Sequence, residues 1–568
     1  MFGSELSNHS HPSEQPLVVL CQVVAYELSA LARSPKNSVH PMTSVSRSLC
    51  GTFPACRASH RLALLASSPA LVASTPKTNF HLPHAKLSSR ATNLATARSL
   101  HSSSNHSSPS TPVTLASAVN LQQPPPEQPP PTMAAPSPLA VLPLTNVLRS
   151  LMTTTVSSSP LLLPPSLAVM SILANTTQPL LNPDENPLLR LLLKNTFYAQ
   201  FCAGENAAEV RQTVDSLKRI GFGGVILGYA REVVLTEAQR ADLASCASDG
   251  AAAEECIQNE IRPWAEGTLQ TVRLAEAGDF VALKFTGAGR QALYALSQRQ
   301  PPTPALASAI DEICRLAASR GVRLLLDAEQ QALQPGIDDW SLDLMRRHNR
   351  GTPDGRAVVY GTYQAYLKAT PATLARHLAA AHAQGFALGV KLVRGAYLGS
   401  DPRHLIHDTK ADTDRAYDGA AEALLRRRWN DVLVPPAGGD SAGFPAVSVV
   451  LATHNRESVL RAQDILSEIK ASSAGDAGAA PDVAFAQLQG MADEVSCELV
   501  ARGRGAGGEG APPRVYKYLV WGSTGECMKY LLRRAYENRD AVQRTKNGRE
   551  AMRKEVVRRV KGMLGLSA

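Results

Sequence analysis

Residues 357–397 read "AVVYGTYQAYLKATPATLARHLAAAHAQGFALGVKLVRGAY". Two apolar, β-rich runs, 357–367 and 386–397, bracket "PATLARHLAAAHAQG" (371–385), which has a helical pattern. Strands whose apolar residues run on continuously, joined through a helix, predict a parallel sheet covered by helices on both faces. Six further runs of the same kind flank this unit: "GGVILGYA" (223–230), "FVALKFTG" (280–287), "VRLLLDAE" (322–329), "AVSVVLATHN" (446–455), "VAFAQLQGM" (483–491) and "VYKYLVWG" (515–522). Most gaps carry a helical pattern, as in "RESVLRAQDILSEIK" (456–470). Eight strand–helix units in one stretch favour a (β/α)8 barrel over an open sheet.

The chain has 568 residues and a net charge of +9. The excess is concentrated at the N-terminus, where residues 1–180 hold ten Lys/Arg against four Asp/Glu. The remainder is nearly balanced and has no basic tract interleaved with aromatics, so nucleic acid is not expected as a partner. Nine cysteines, odd in number and without a CxxC pair, argue against a disulfide framework or structural zinc and for a reducing compartment. The richest apolar stretch, "LLLPPSLAVMSILA" from Leu161, is short and broken by two prolines, so a spanning helix is not expected.

Residues 1–185 read as a low-complexity N-terminal region, and 186–568 as the barrel. Between Leu28 and Pro126 there is no Asp or Glu, against nine Lys/Arg and abundant Ser, Thr and Pro. Such a composition suits a mitochondrial targeting segment, and it equally suits plain disorder; the two readings are compatible. Met133, after a polyproline tract, offers a second start. Gly/Ala/Ser-rich inserts at 435–444, 472–482 and 502–513 read as surface loops.

In such barrels the chemistry lies at the C-terminal ends of the strands. Those ends offer Lys284, Asp327, Gln364, Lys391 with Arg394 and Tyr397, His454, Gln487 with Leu488, and Tyr518. A lysine in an apolar strand requires either an anion or a route to solvent for its head. No HExxH, EF-hand, Walker A, serine-triad or GxGxxG pattern occurs, so no metal site is expected and NTP chemistry has no motif. On the last helix, "KYLLRRAYENRD" (529–540) sets Arg533 beside Arg534. Neighbours differ by about 100° around a helix, so both reach one anion only at the helix flank.

Taken together, "FYAQFCAGEN", "LLLDAEQ", "YGTYQAYL", "KLVRGAYL", "ATHN", "LQGM" and "YLLRRAYEN" resemble the mitochondrial proline dehydrogenase family, from about Leu189 onward. The resemblance implies an α/β fold, a distorted (β/α)8 TIM barrel with a disordered N-terminal extension. It implies FAD as cofactor and L-proline as substrate, oxidised to Δ1-pyrroline-5-carboxylate. Electrons would pass to a quinone, with peripheral association at the mitochondrial inner membrane. Carried over position by position, Lys284, Arg533 and Arg534 match the cradle for the substrate carboxylate, and Asp327 and Tyr518 the hydrogen-bonded pair closing one side. Tyr397, Leu488 and Tyr530 match positions packing on the pyrrolidine ring. Gln364, Lys391, Val393, Gly395, Ala396, Thr453, His454, Gln487 and Glu537 match positions near the flavin. Lys391 stands where some bacterial members carry arginine, and Leu398 where some carry tryptophan. Tyr518 is replaced by a small residue in the related hydroxyproline-oxidising branch, so its retention points to proline. The same-class alternatives are a hydroxyproline or a methylenetetrahydrofolate oxidoreductase; the different-class alternative is a catalytically silent barrel acting as a binding module.

Overall fold

The computed structural model describes residues 137–176, 178–230, 243–246, 250–352, 355–436, 443–472, 481–505, 513–537 and 542–565. The expected targeting segment, Met133 and most of the Gly-rich inserts lie outside these residues. Eight strands form a closed barrel in chain order: β1 Gly224–Tyr229, β2 Phe280–Leu283, β3 Arg323–Leu326, β4 Val359–Gln364, β5 Leu388–Val393, β6 Val447–Ala452, β7 Asp482–Leu488 and β8 Arg514–Trp521. All neighbours are parallel, and β8 closes on β1 from the Gly224–Tyr516 pairing to Tyr229–Trp521. All eight strand-like runs of the sequence are therefore strands.

Alternation along each strand divides the side chains between two cores. Val225, Leu227, Val281, Leu283, Leu324 and Leu326 pack outward in the large core beneath the helices. Ile226, Phe280, Ala282, Leu325, Tyr360 and Tyr516 pack into the barrel. At the lower end Phe280 stacks edge-on against Tyr360 and Tyr516, with the Arg323 guanidinium 4.3 Å from its ring centroid. Inward-facing positions continue up the strands to Lys284, Asp327, Gln364, Lys391, Leu488 and Tyr518. The residues of interest thus occupy the last inward layers, where the barrel opens.

Among the described residues, the helices of seven residues or more that precede or line the first half of the barrel are α1 Leu144–Ser158, α2 Leu163–Asn175, α3 Pro187–Leu193, α4 Ala207–Ile220, α5 Arg262–Leu274, α6 Arg290–Ser297, α7 Pro304–Ser319 and α8 Gln334–His348. The second half carries α9 Thr370–Gln384, α10 Lys410–Arg426, α11 Arg456–Ser472, α12 Asp493–Gly505, α13 Thr524–Glu537 and α14 Val542–Met563. Local chemistry fixes the helix of the opening βαβ unit. α9 begins with a proline in its first turn and ends on Gly385, at φ 67°, whose N–H closes on the carbonyls of Ala381 and His382.

α1 and α2 fall within the stretch that composition assigns to a low-complexity region, yet they belong to the same compact unit as the barrel. α1 lies along α14, and α2 against α13. Leu139, Val147 and Leu151 are buried there, and Arg559 donates to the carbonyls of Leu139 (3.1 Å) and Leu142 (2.8 Å). The Ser/Thr richness that suggests disorder is absorbed within α1, where Thr153, Thr154 and Ser157 bond back to carbonyls one turn earlier.

Candidate active site

Lys284 directly follows β2, and its carbonyl accepts a hydrogen bond from the Trp264 indole at 3.0 Å. The Asp327 N–H donates to the Leu283 carbonyl at 2.9 Å, which sets these two residues side by side. Lys284 Nζ lies 3.0 Å from Asp327 Oδ2, and Lys391 Nζ 2.5 Å from Oδ1, so one carboxylate bridges two ammoniums. The Tyr518 hydroxyl donates to Asp327 Oδ2 at 2.9 Å and accepts from Lys284 Nζ at 3.1 Å. Lys391, matched by resemblance to the flavin side, thus also holds Asp327, which the same resemblance matches to the substrate side.

The charge states follow from burial and partners. Burial alone would raise the Asp327 carboxyl, but Lys391 and Lys284 outweigh it and hold it well below the usual carboxylate range. For Lys284, burial opposes the charge, and Tyr518 and Asp327 hold it well above the ordinary amine value. Burial, reinforced by the Asp327 charge, raises the Tyr518 phenol, which therefore stays a neutral donor.

α13 carries the arginine pair and is anchored at its start by several bonds. Ser523 and Glu526 form a reciprocal capping box, Ser523 N donating to Glu526 Oε2 (3.1 Å) and Glu526 N to Ser523 Oγ (3.3 Å). Glu205 accepts from the Thr524 N–H (3.0 Å) and hydroxyl (2.6 Å), and Asp184 from the Gly525 N–H (2.8 Å). Tyr198 donates to the Gly522 carbonyl at 2.9 Å. The "FYAQFCAGEN" motif therefore acts on the site by aiming α13. On that helix Tyr530 is buried, with the Arg533 and Arg534 guanidiniums 6.0 and 5.6 Å from its ring centroid. Both charges act on Tyr397, whose phenol is pushed up to about 12 by burial and then by Glu329. The Tyr397 hydroxyl donates to the Ala328 carbonyl at 3.3 Å.

A cavity of about 170 Å³ opens among His454, Leu488, Tyr518, Tyr530 and Arg534, with α1 and α2 contributing the opposite wall. Arg534, Asp493 and Glu494 are the charged residues that line it, and Tyr518 links its wall to Lys284 and Asp327. Its Tyr530 and Leu488 walls suit a small apolar ring.

The second group of residues lies across the ends of β4 to β7. Gln364 Oε1 accepts from the Ala396 N–H at 3.0 Å, while its Nε2 is buried with no hydrogen-bond partner. The Thr362 hydroxyl below it is likewise buried and unpartnered. Gly395 has φ 150°, and a Cβ there would fall 2.4 Å from the Tyr366 ring, so no other residue fits this turn. Val393 pairs with Gln364 at the end of β5. His454 Nε2 accepts from the Leu488 N–H at 3.1 Å, which leaves the ring proton on Nδ1. Gln487 points outward: its Nε2 donates to the Thr453 carbonyl (3.2 Å) and its Oε1 accepts from Ser496 (3.0 Å). The Thr453 hydroxyl accepts from Arg394 (3.3 Å) and from the Asn455 N–H (3.1 Å). Thr453 and Gln487 thus brace β6 against β7. Glu537 ends α13, and its side chain lies outside the described residues. Orphaned buried donors beside a side-chain-free turn are what a planar, polar-edged group such as a flavin would satisfy.

Glu329 belongs to this environment although no motif role points to it. It is buried, accepts from the Thr286 N–H at 3.1 Å and from the Thr286 hydroxyl, and burial raises its carboxyl. The alternation that turns Asp327 inward carries on to Glu329, and that is the signal for it in the sequence. Arg394, offered by the sequence at the end of β5, is tied to Asp414 and to Ser458 (2.7 Å) and anchors the turn after β5.

The family model described as "Proline dehydrogenase" matches residues 210–547. A probable mitochondrial proline dehydrogenase of Schizosaccharomyces pombe is 30% identical over 421 residues, covering 66% of this chain and 81% of that protein. The Arabidopsis thaliana proline dehydrogenase 1, mitochondrial, is 30% identical, covering 65% of this chain and 75% of that protein. A hydroxyproline dehydrogenase of Rattus norvegicus is also 30% identical, covering 65% and 83%. With its barrel complete and more than half its length within the family model, the chain belongs to the proline dehydrogenase family, oxidoreductases that act on proline.

Proposed function

We propose that this chain binds FAD and oxidises L-proline to Δ1-pyrroline-5-carboxylate in the mitochondrion, with a quinone as electron acceptor. One observation carries the reading: Lys284 is fixed by Asp327 and by Tyr518, Tyr518 lines a cavity together with Tyr530 and Arg534, and the Arg533 guanidinium lies 6.0 Å from the Tyr530 ring centroid. Gln364, Lys391, Val393, Gly395, Ala396 and His454 form the cofactor side, and Thr453 and Gln487, matched to it by resemblance, brace it from behind. The bound flavin would supply a two-electron acceptor for the substrate hydride. The remaining work falls to the chain. Two guanidiniums and an ammonium fix the angle of one carboxylate as well as its affinity. Tyr397, Leu488 and Tyr530 confine the ring, so one C–H bond of Cδ, the ring carbon beside the nitrogen and away from the carboxylate, is presented in one orientation. The nitrogen lone pair forms the C=N bond as the hydride leaves, and that requires a neutral amine. Cations around the carboxylate lower the affinity of the nearby amine for a proton and favour this form. Asp327 stays ionised and saturated with donors, so its role is positioning rather than proton abstraction.

Tyr518 bears on the choice between proline and hydroxyproline. Its hydroxyl is locked by Lys284 and Asp327, and the resemblance assigns it the space that a small residue leaves open for a ring hydroxyl in the hydroxyproline-oxidising branch. Peripheral membrane association is supported by exposed Leu161, Ile172, Leu180, Leu188 and Leu191, which cluster along the segment from α2 to α3. Among the described residues no single helix is long and apolar enough to cross a membrane. Mitochondrial placement is supported by the names of the fission-yeast and plant relatives. The test is chemical: purified protein incubated with L-proline and a soluble quinone should yield an imine that condenses with an aromatic amino-aldehyde. A flavin-loaded protein that turns over trans-4-hydroxy-L-proline but not L-proline would replace this reading with the hydroxyproline one.

A further inference from the structure

A second cavity, of about 280 Å³, lies outside the barrel between α1, α4 and the turn after β7. Three cations line it: Arg149, Lys194 and Lys517. Two of them are matched. Lys194 sits between Glu205 (2.7 Å) and Glu209 (2.6 Å), and Lys517 meets Asp493 at 2.7 Å and the Met491 carbonyl at 3.2 Å. Arg149 is different. Its guanidinium donates to the neutral amide oxygen of Asn146 at 2.7 Å, while its Nε is buried with no hydrogen-bond partner. Burial lowers its proton affinity, and no neighbouring carboxylate opposes that shift. A half-buried guanidinium with a buried, unmet Nε–H is costly, and an oxyanion held through Nε and a terminal nitrogen meets that donor with one bidentate contact. Gln489 lines the same space, with its Oε1 buried and unpartnered. A half-turn of that amide presents its NH₂ as a further donor. Hydroxyls of Thr213 and Ser216 complete a polar wall.

We propose that this cavity is a binding site for a small oxyanion, a carboxylate or a phosphate, with Arg149 as its principal ligand. The site is distinct from the clamp of Lys284, Arg533 and Arg534, although its floor shares backbone with it. Lys517 precedes Tyr518 on β8 and points to the opposite face of that strand, while Gln489 and Asp493, after β7, border both cavities.

The experiment follows thermal unfolding of the full-length, flavin-loaded protein and of Arg149→Gln, against rising inorganic phosphate or acetate at constant ionic strength. The wild-type midpoint should climb with the logarithm of anion concentration. In Arg149→Gln that response should need roughly ten- to a hundredfold more anion, the loss expected from one charge-assisted contact. Whichever of the two anions acts at lower concentration identifies the source. An equal response in both proteins would assign the effect to the substrate clamp and overturn the proposal, as would no response to either anion in the wild type. Should Arg149→Gln fail to fold, labelling of Arg149 in the wild type by phenylglyoxal decides the matter. Slower labelling with phosphate or acetate present supports the site, and an unchanged rate overturns it.

Discussion

Replacing Asp327 by Asn tests whether that carboxylate is the electrostatic keystone of the barrel mouth. In the native protein it lies 3.0 Å from Lys284 Nζ and 2.5 Å from Lys391 Nζ, and all three side chains are largely removed from solvent. An amide there leaves two buried ammoniums facing each other without a counter-charge. Breaking a buried pair from one side typically costs ~3–5 kcal/mol, and a urea unfolding curve at neutral pH should show a loss of that size. The pH dependence gives the mechanism away. The native carboxyl has a depressed proton affinity, so its contribution is present above its unfolded value and is lost as pH falls through the folded one. The wild type should therefore lose stability in acid more steeply than the variant. In Asp327→Asn the Lys284 amine has lost its counter-charge, and burial now favours its neutral form. The unfolded chain then binds more protons, and stability must rise with pH towards the ordinary lysine range of ~10. The deficit against wild type should shrink between neutral and alkaline pH. A deficit below about 1 kcal/mol, or one that stays constant with pH, would refute the bridging role. The kcat for proline should fall about a hundredfold, because Lys284 and Tyr518 lose their common anchor.

Three further outcomes are expected. Arg533→Ala and Arg534→Ala should each raise KM for proline by roughly ten- to a hundredfold, one charge-assisted contact each, while flavin content measured by absorbance stays unchanged. Tyr518→Ser should open the space beside Lys284 and shift the ratio of kcat/KM values toward trans-4-hydroxy-L-proline, read by competing the two substrates. Leu188→Gln combined with Leu191→Gln should abolish co-flotation with liposomes while leaving turnover of a soluble quinone intact. Salt should scarcely alter that flotation, since from Leu161 to Leu193 the only ionisable residues are Asp184, Glu185 and Arg190.

The barrel is legible in the sequence because each strand is a short continuous run of Val, Leu, Ile and aromatic residues, buried on both faces and punctuated by helices. The site is legible to the extent that strand alternation is: Lys284, Asp327, Lys391 and Tyr518 lie on the inward register of four different strands, and closure of the barrel brings them together. What the pattern does not carry is which of these residues touch. Lys391 meets Asp327 through the curvature of the barrel between β3 and β5, a contact that no local spacing encodes. α1 and α2 are hidden for another reason: α1 is rich in Ser and Thr, α2 is a short apolar run that opens on two prolines, and only their packing on α14 and α13 ties them to the core. The Arg149 cavity depends on the same packing, since it brings α1 against α4 and the turn at Gln489.

The most direct test of the central claim, that a carboxylate-clamped proline is presented to a bound flavin, is anaerobic reduction of the purified protein followed by flavin absorbance. L-proline should bleach the flavin within the dead time of a few turnovers, and pyrrolidine, the same ring without its carboxylate, should leave it oxidised. A protein that carries no flavin, or one that pyrrolidine reduces as fast as L-proline, would contradict the account.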